Sequence, residues 1–468
     1  MSRALRVVLP SDVFPPRSGG AGWSVHALAL ALIERGHDVT AVVPRRTTKH
    51  QGRRTKERED GLGRWSFVAR RESVLGVPTL RVDYWAPRIP IVQNYFRYEH
   101  FWPRLADVLT RTIVDRGAQS PISNSLPAII HAQHVQTAPS AIMAGRRAGA
   151  PVVITVRDHW PWDYFSTGLH GDRIPYGEQT WAALMTDLVA RLGPGRGALS
   201  LPAIPYMLAH VRRRRQALRQ AGAVIAVSDY IARRLSGLVA PERLHVIANL
   251  VDLAAIDATI ATPQTTVPPE TPYLLFAGKL EHNKGAHLLV DIFCELKALG
   301  VGSWELGVGE RRHSPSLISQ PPTPTLVVAG SGPLRPELER QLAALGVRVQ
   351  FLDWVDHDEL LRLMAGCELL LFPSAWGEPL SRVPLEASAC GAAILAMPTG
   401  GTPSIITDGV DGALESTPAG FARRMAALLV QPEWRRALGQ AARRNAERRF
   451  AKQLVVGQVE ELYRSLAA

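Results

Sequence analysis

Glu378 and Glu386, with seven residues between them, carry the most specific chemistry in this 468-residue sequence. They lie in residues 371–391, LFPSAWGEPLSRVPLEASACG. The apolar run 369–372 predicts the end of a buried parallel strand, Pro373 and Ser374 break it, and residues 383–390 predict a helix with Glu386 in its first turns. In open α/β sheets, ligands bind where a loop at the carboxyl end of a strand leads into a helix N-terminus. Glu378 is expected in that loop and Glu386 on the helix face turned to the same crevice. Two carboxylates repel phosphate, yet they accept hydrogen bonds from hydroxyls, as the acidic residue on a dinucleotide ribose does. By spacing alone they fit equally well as two surface glutamates near a helix start, where the macrodipole favours them.

Histidines form a second group. Residues 128–131 and 152–156 predict strands, the first running into Gln133 and His134, the second into Arg157, Asp158 and His159. His131, His134 and His159 then stand at two successive strand ends on one sheet edge. A lone histidine is usually structural, but several at one edge beside Asp158 point to a polar site. A third group is glycine-rich. A strand over residues 5–10 runs into a loop that ends in Gly19, Gly20, Ala21 and Gly22, before apolar residues at helical spacing. Such glycines let the backbone approach a phosphate, although a tight turn alone uses the same residues.

The elements that position these groups alternate strand and helix twice over. Further strands are expected at residues 38–43, 223–227, 245–248, 273–277, 326–329, 347–351 and 393–396, with Ser228 as a helix N-cap. The Pro/Thr stretch 263–272 reads as a linker. This predicts an α/β protein of two doubly wound, Rossmann-like domains, residues 1–262 and 273–448, and a final helix over 449–468 packing back towards the first. Residues 45–64 are expected as a solvated basic loop and 301–324 as an inserted loop. Tyr95, Phe96, Tyr98, Phe101 and Trp102 suggest an aromatic cluster on a helix. Residues 161–215 are rich in aromatics and end in Arg212 to Arg215, which are expected to spread around a helix surface.

Composition bounds the class. With 46% hydrophobic and 21% charged residues the chain has a full core. Its three cysteines, Cys294, Cys367 and Cys390, lack metal-ligand spacing and fit a reduced compartment. The N-terminal apolar run is too short for a signal peptide, and no stretch reaches the ~18 apolar residues of a membrane span. A net charge of +12 suits an anionic partner, or reflects an arginine-rich coding bias.

The segment around Glu378 and Glu386 resembles the E-x7-E motif of retaining glycosyltransferases of family 4 (glycosyl transferases group 1), which have the GT-B fold: two Rossmann-like domains facing each other across a cleft. The resemblance extends to the Pro-Ser pair before the motif and the small-residue helix after it. It also covers residues 223–252, similar to the family's A-D-x-V-I-A-V-S and V-I-P-N-G-V-D segments, and Gly330 to Pro333, similar to its G-x-G-P. The ends of the strands at 128–131 and 152–156 resemble its H-x-H and T-x-H-D ends. Here Arg157 replaces a histidine, and either Gln133 or His134 fills the position of the family's essential histidine. We favour His134, whose imidazole bonds a sugar hydroxyl and responds to charge.

The resemblance implies a cytoplasmic enzyme moving a sugar from a nucleotide-diphosphate sugar to a glycan, lipid or small-molecule hydroxyl, with retention, in cell-envelope glycan or glycolipid synthesis. Lys279 and Lys284, five residues apart in the loop after strand 273–277, would converge on the donor diphosphate; the family usually has arginine at the first position. Glu386 would hold the ribose hydroxyls. Glu378, with backbone amides near Pro379, Leu380 and Ser381, would touch the transferred sugar, and His134 would contact it near the reacting carbon. Gly19 and Gly20 would support the donor phosphate, and Gly278, Gly330, Gly332, Trp354 and Val355 would line the nucleotide site. No D-x-D stands beside a strand end in the donor domain, so no metal ligand is assigned and no cofactor is expected to stay bound. Nucleic acid is not an expected partner; an anionic membrane surface is. Competing readings are another GT-B enzyme, such as a nucleotide-sugar epimerase, and a non-catalytic basic membrane- or RNA-binding protein. A nicotinamide dehydrogenase is disfavoured, since the first glycine turn lacks the G-x-G-x-x-G fingerprint.

Overall fold

The computed structural model describes residues 4–16, 18–47, 69–89, 92–114, 126–134, 136–171, 173–175, 177–262, 272–300 and 324–468. They form two compact units, Met1–Leu250 with Gln453–Ala468, and Val251–Lys452.

The first unit contains β1 (Arg6–Pro10), β2 (Asp38–Arg46), β3 (Ala69–Val74), β4 (Val77–Tyr84), β5 (Ala128–Ala132), β6 (Val152–Val156), the small hairpin β7 (Leu169–His170) and β8 (Ile174–Pro175), β9 (Ala223–Ala226) and β10 (Leu244–Val246). Eight of these build one sheet in the order β10-β9-β6-β5-β1-β2-β4-β3. All its pairings are parallel except that of β3 with β4. Central strands such as RVVLP and VVITV are buried along their whole length, as a parallel sheet covered on both faces requires. Helix Gly20–Glu34 lays Val25, Leu28, Ala29 and Leu32 against this sheet. Helix Lys452–Ala467 completes the same core with Val455, Val456, Val459, Leu462 and Tyr463. It is pinned by polar contacts as well: Glu460 lies 2.6 Å from His37 and 2.7 Å from Arg35, and the Tyr463 hydroxyl lies 2.6 Å from His131 Nδ1.

The second unit contains β11 (Tyr273–Ala277), β12 (Thr325–Ala329), β13 (Val349–Phe351), β14 (Leu369–Phe372), β15 (Ile394–Ala396) and β16 (Ala413–Leu414), all parallel, in the order β13-β12-β11-β14-β15-β16. Counted from β11 this is the 3-2-1-4-5-6 order of doubly wound folds.

Several expectations change. The units divide at Leu250, not at residue 262. Helix Leu253–Ala261 stays with the second unit, where Arg443 bonds Asp257 at 2.7 and 2.8 Å and Arg362 reaches Thr262 at 2.8 Å. Residues 263–271 of the linker and 301–323 of the inserted loop lie outside the described residues. Within the basic stretch, Arg45 and Arg46 extend β2 instead of opening a loop, since Asp83 on β4 takes a two-pronged bond from Arg45; residues 48–68 lie outside the described residues. The antiparallel pair β3–β4 is an element that the apolar pattern did not reveal. Among the four arginines, Arg214 is not on the surface: it is fully buried and donates to the carbonyls of Trp160, Asp163 and Tyr164 at 3.1–3.3 Å. No helix among the described residues is long and apolar enough to cross a membrane.

Candidate functional site

Each sheet reverses its winding once. The reversal falls between β1 and β5 in the first unit and between β11 and β14 in the second. At such a switch point the loops after two neighbouring strands diverge and leave a crevice at their carboxyl ends. Gly19, Gly20 and His134 follow the two strands at the first of these places, and Gly278, Lys279, Lys284, Glu378 and Glu386 follow the two at the second, whereas Gly330 and Gly332 follow β12 and Trp354 and Val355 follow β13.

In the second unit, the loop after β11 holds Lys279 and Lys284, and the loop after β14 holds Glu378. Lys284 Nζ lies 2.8 Å from Glu378 Oε1, and the same oxygen accepts from Ser374 Oγ at 3.1 Å. The ammonium also stands 4.9 Å from the centre of the Trp376 ring. Close backbone approach makes this possible. Gly285 has φ +71°, and a Cβ there would meet the Pro373 carbonyl oxygen at 1.8 Å, so only glycine lets the loops touch. The Gly401 amide then donates to the Glu378 carbonyl at 2.6 Å, which fixes the loop from the other side. Lys279 does not join this pair: its side chain is 68% exposed and its nearest carboxylate, Glu281, is 3.8 Å away.

Glu386 sits in helix Arg382–Ala389 and is buried, as is Glu378. Its Oε1 accepts from Arg382 Nε at 3.0 Å and from Arg382 Nη2, and lies 3.0 Å from His357 Nε2. Burial alone would raise its pKa, but Arg382 and then His357 outweigh it and hold the carboxyl down at about 2. The two glutamates are therefore held by separate sets of cations. His357 and Arg382 carry no expected role from the sequence: Arg382 stands one residue before the helix expected at 383–390, and no element is expected at His357. Leu380 is buried, Ser381 is the residue before the helix, and Trp354 is 79% exposed beside Val355. Gly330, Gly332 and Gly278 serve loop packing: a Cβ on Gly330 would lie 1.9 Å from the Gly278 carbonyl oxygen, and one on Gly332 2.5 Å from that of Leu280.

In the first unit, Gly19 and Gly20 open helix Gly20–Glu34, which has no side-chain cap, and nothing lies within 4 Å of the Gly19 Cβ position. His134 follows β5. Its Nδ1 lies 2.6 Å from Asp12 Oδ1 and its Nε2 3.0 Å from Asp158 Oδ2. Burial disfavours its charge, yet Asp12 and then Asp158 prevail and hold the imidazole well above the ordinary histidine value. His134 is thus braced between the loops that follow β1, β5 and β6, in surroundings that favour its charged form. The Asp12 brace had no sequence signal beyond its place after a strand. Gln133, the other candidate, is fully buried and accepts from Arg157, which also donates to Asn249 at 3.2 Å. Of the two, only His134 reaches the surface, with 17% of its side chain exposed. His131 is buried, held neutral by burial and then by the nearby Arg157 charge, and bonded to Tyr463 and Thr155. Among the described residues no group of His, Cys, Asp and Glu is arranged to hold a metal ion.

Two family models match the sequence: "Glycosyltransferase Family 4" over residues 18–255 and "Glycosyl transferases group 1" over residues 258–445. A D-inositol 3-phosphate glycosyltransferase of Jonesia denitrificans is 29% identical over 277 residues, 55% of this chain and 59% of that relative. An alpha-maltose-1-phosphate synthase of Mycolicibacterium smegmatis is 26% identical over 283 residues, 54% of this chain and 66% of that relative. The chain thus spans less than two thirds of the length of either. HepE of Anabaena in complex with UDP and glucose superposes with a TM-score of 0.61 at 18% identity, over 98% of this chain and all of the other. A sucrose-phosphate synthase of Thermosynechococcus elongatus gives 0.61 at 19% identity, over 99% of each chain. At these identities the structures establish the GT-B fold.

Proposed function

The chain belongs to Glycosyltransferase Family 4, and from that premise we propose that it transfers a sugar, with retention, from a nucleotide-diphosphate sugar to an acceptor hydroxyl without using a metal ion. The observation that carries this reading is the β11–β14 switch point, where Lys284, Glu378 and Ser374 interlock and Glu386 lies in the helix that follows. Lys284 and Lys279 supply positive charge for the departing diphosphate, a role that a point charge on a flexible stem can fill. Glu386 takes ribose hydroxyls, Glu378 with the amides near Leu380 and Ser381 takes the transferred sugar, and Trp354, Val355, Gly278, Gly330, Gly332 and Pro379 border the nucleotide. His134 contacts the sugar near the reacting carbon, for which its Nε2–H leaves Asp158, and Gly19 and Gly20 offer amides to phosphate. Asp12 and Asp158 favour the charged form of His134, which weakens it as a base towards the acceptor and suits a reaction in which the leaving phosphate takes that proton.

A panel of UDP-, ADP- and GDP-sugars, read by thermal unfolding, tests donor binding. A true donor at 100 times its Kd adds about 2.7 kcal/mol of stability. A melting curve unmoved by every nucleotide sugar counts against the reading. The relatives and neighbours carry names that mention inositol phosphate, maltose phosphate and UDP, and the donor here is sought first among those with UDP. An anionic membrane surface is proposed as a further partner on the strength of the +12 charge. Sedimentation with phosphatidylglycerol vesicles that fails even at low salt would remove it.

A further inference from the structure

The carboxylate of Glu386 is held on one side only. Among the described residues, every hydrogen bond to it ends on Oε1: two from Arg382 and one from His357. Oε2 receives none. A buried carboxylate has about four acceptor positions, so a group held by one oxygen presents the other in a fixed direction.

Arg382 and His357 occupy unusual places for cations. Arg382 is the first residue of helix Arg382–Ala389, and His357 is the first residue of helix His357–Gly366. Both helix N-termini carry positive partial charge, which opposes a cation in the first turn. Local sequence preference would put Asp or Glu there, as it does at Asp358 and Glu359 beside His357. Residues that break a local rule against such a preference tend to be retained for a site. The Glu386 bond also raises the His357 imidazole above its ordinary value, with Asp358 adding to it and Arg382 opposing. The contact is partly open, since 47% of the His357 side chain is exposed while Glu386 is 5% exposed.

We infer that Arg382 and His357 are positioning residues for the donor: together they fix Oε1 of Glu386 so that Oε2 is set to accept the hydroxyls of a nucleotide ribose. The inference rests on the reading of Glu386 as a ribose contact and adds what aims it. A carboxylate that must be oriented only on binding spends part of its bond energy on that ordering, and one already clamped does not. Arg382 supplies a planar fork that lysine lacks, so the clamp depends on geometry as well as charge.

Titration calorimetry with UDP, ADP and GDP, and with their 2′,3′-dideoxy forms, separates the possibilities. It is run on the wild type, Arg382→Leu, Arg382→Lys and His357→Asn. The wild type is expected to prefer the ribose form of the nucleotide it binds most tightly. In Arg382→Leu and in His357→Asn that preference falls about fivefold, the worth of one ordinary hydrogen bond, while affinity for the dideoxy form stays unchanged. Arg382→Lys regains part of the preference. A general loss of folding would weaken both forms alike, so equal weakening overturns the inference, and His357→Asn carries the test alone if Arg382→Leu does not fold. A wild type that prefers ribose, with variants that keep the full preference, overturns the positioning role and leaves Glu386 in place. A wild type indifferent to the ribose hydroxyls, or one that binds none of the three, overturns the reading of Glu386 and the inference with it.

Discussion

Lys284 shows how one contact changes what a substitution means. Within a helical turn the sequence offered it only Glu281, and a surface pair of that kind is worth about 0.5 kcal/mol. Its partner is instead the buried Glu378, brought from the loop after β14. Lys284→Ala therefore leaves a buried carboxylate held by Ser374 alone, and a stability loss of about 1–3 kcal/mol is expected. It also removes charge proposed to meet the departing diphosphate, a loss of about 10²–10³ in kcat. Lys284→Ala with Glu378→Gln distinguishes the effects. The double variant should regain melting temperature without regaining turnover, as judged by thermal melts and initial rates on one donor. Near-normal turnover in the single variant would refute the phosphate role. His134 carries the complementary lesson. Its two aspartate neighbours raise it above the ordinary histidine value and so favour its charged form.

At the level of elements, the buried parallel strands were legible because their Val, Ile, Leu and Ala runs are covered on both faces. Residues 152–156 and 273–277 match β6 and β11 to the residue. Ser228 caps its helix by accepting from the Ile231 amide, as its place after a strand implied. The β3–β4 pair was not legible, since ARRESV is exposed for most of its length and offers no apolar alternation. Arg214 was misread for a related reason: helical spacing alone does not say that three backbone carbonyls wait in the interior. The candidate site divides the same way. Its strand-end residues were visible as types, but the pairing of Lys284 with Glu378, and of His357 and Arg382 with Glu386, depends on loops that only the fold brings together. The final helix is a similar case. A final helix packing back towards the first domain was expected, while the His131–Tyr463 and His37–Glu460 contacts that lock it appear only in the structure.

Over the whole molecule, one topology is used twice, and each copy gathers its charged groups at its own switch point. The first copy holds a histidine braced by Asp12 and Asp158; the second holds lysines and two buried glutamates. This division suits a reaction that needs hydrogen bonds to a sugar and positive charge for a diphosphate. The central claim, retaining transfer from a nucleotide sugar without a metal, is tested most directly by proton NMR of the sugar first released or transferred from an α-linked donor in excess chelator. The account predicts that turnover persists and that the initial anomer is α, before mutarotation. A β anomer as the first product, or turnover that stops in chelator and returns with Mg²⁺ or Mn²⁺, would contradict it.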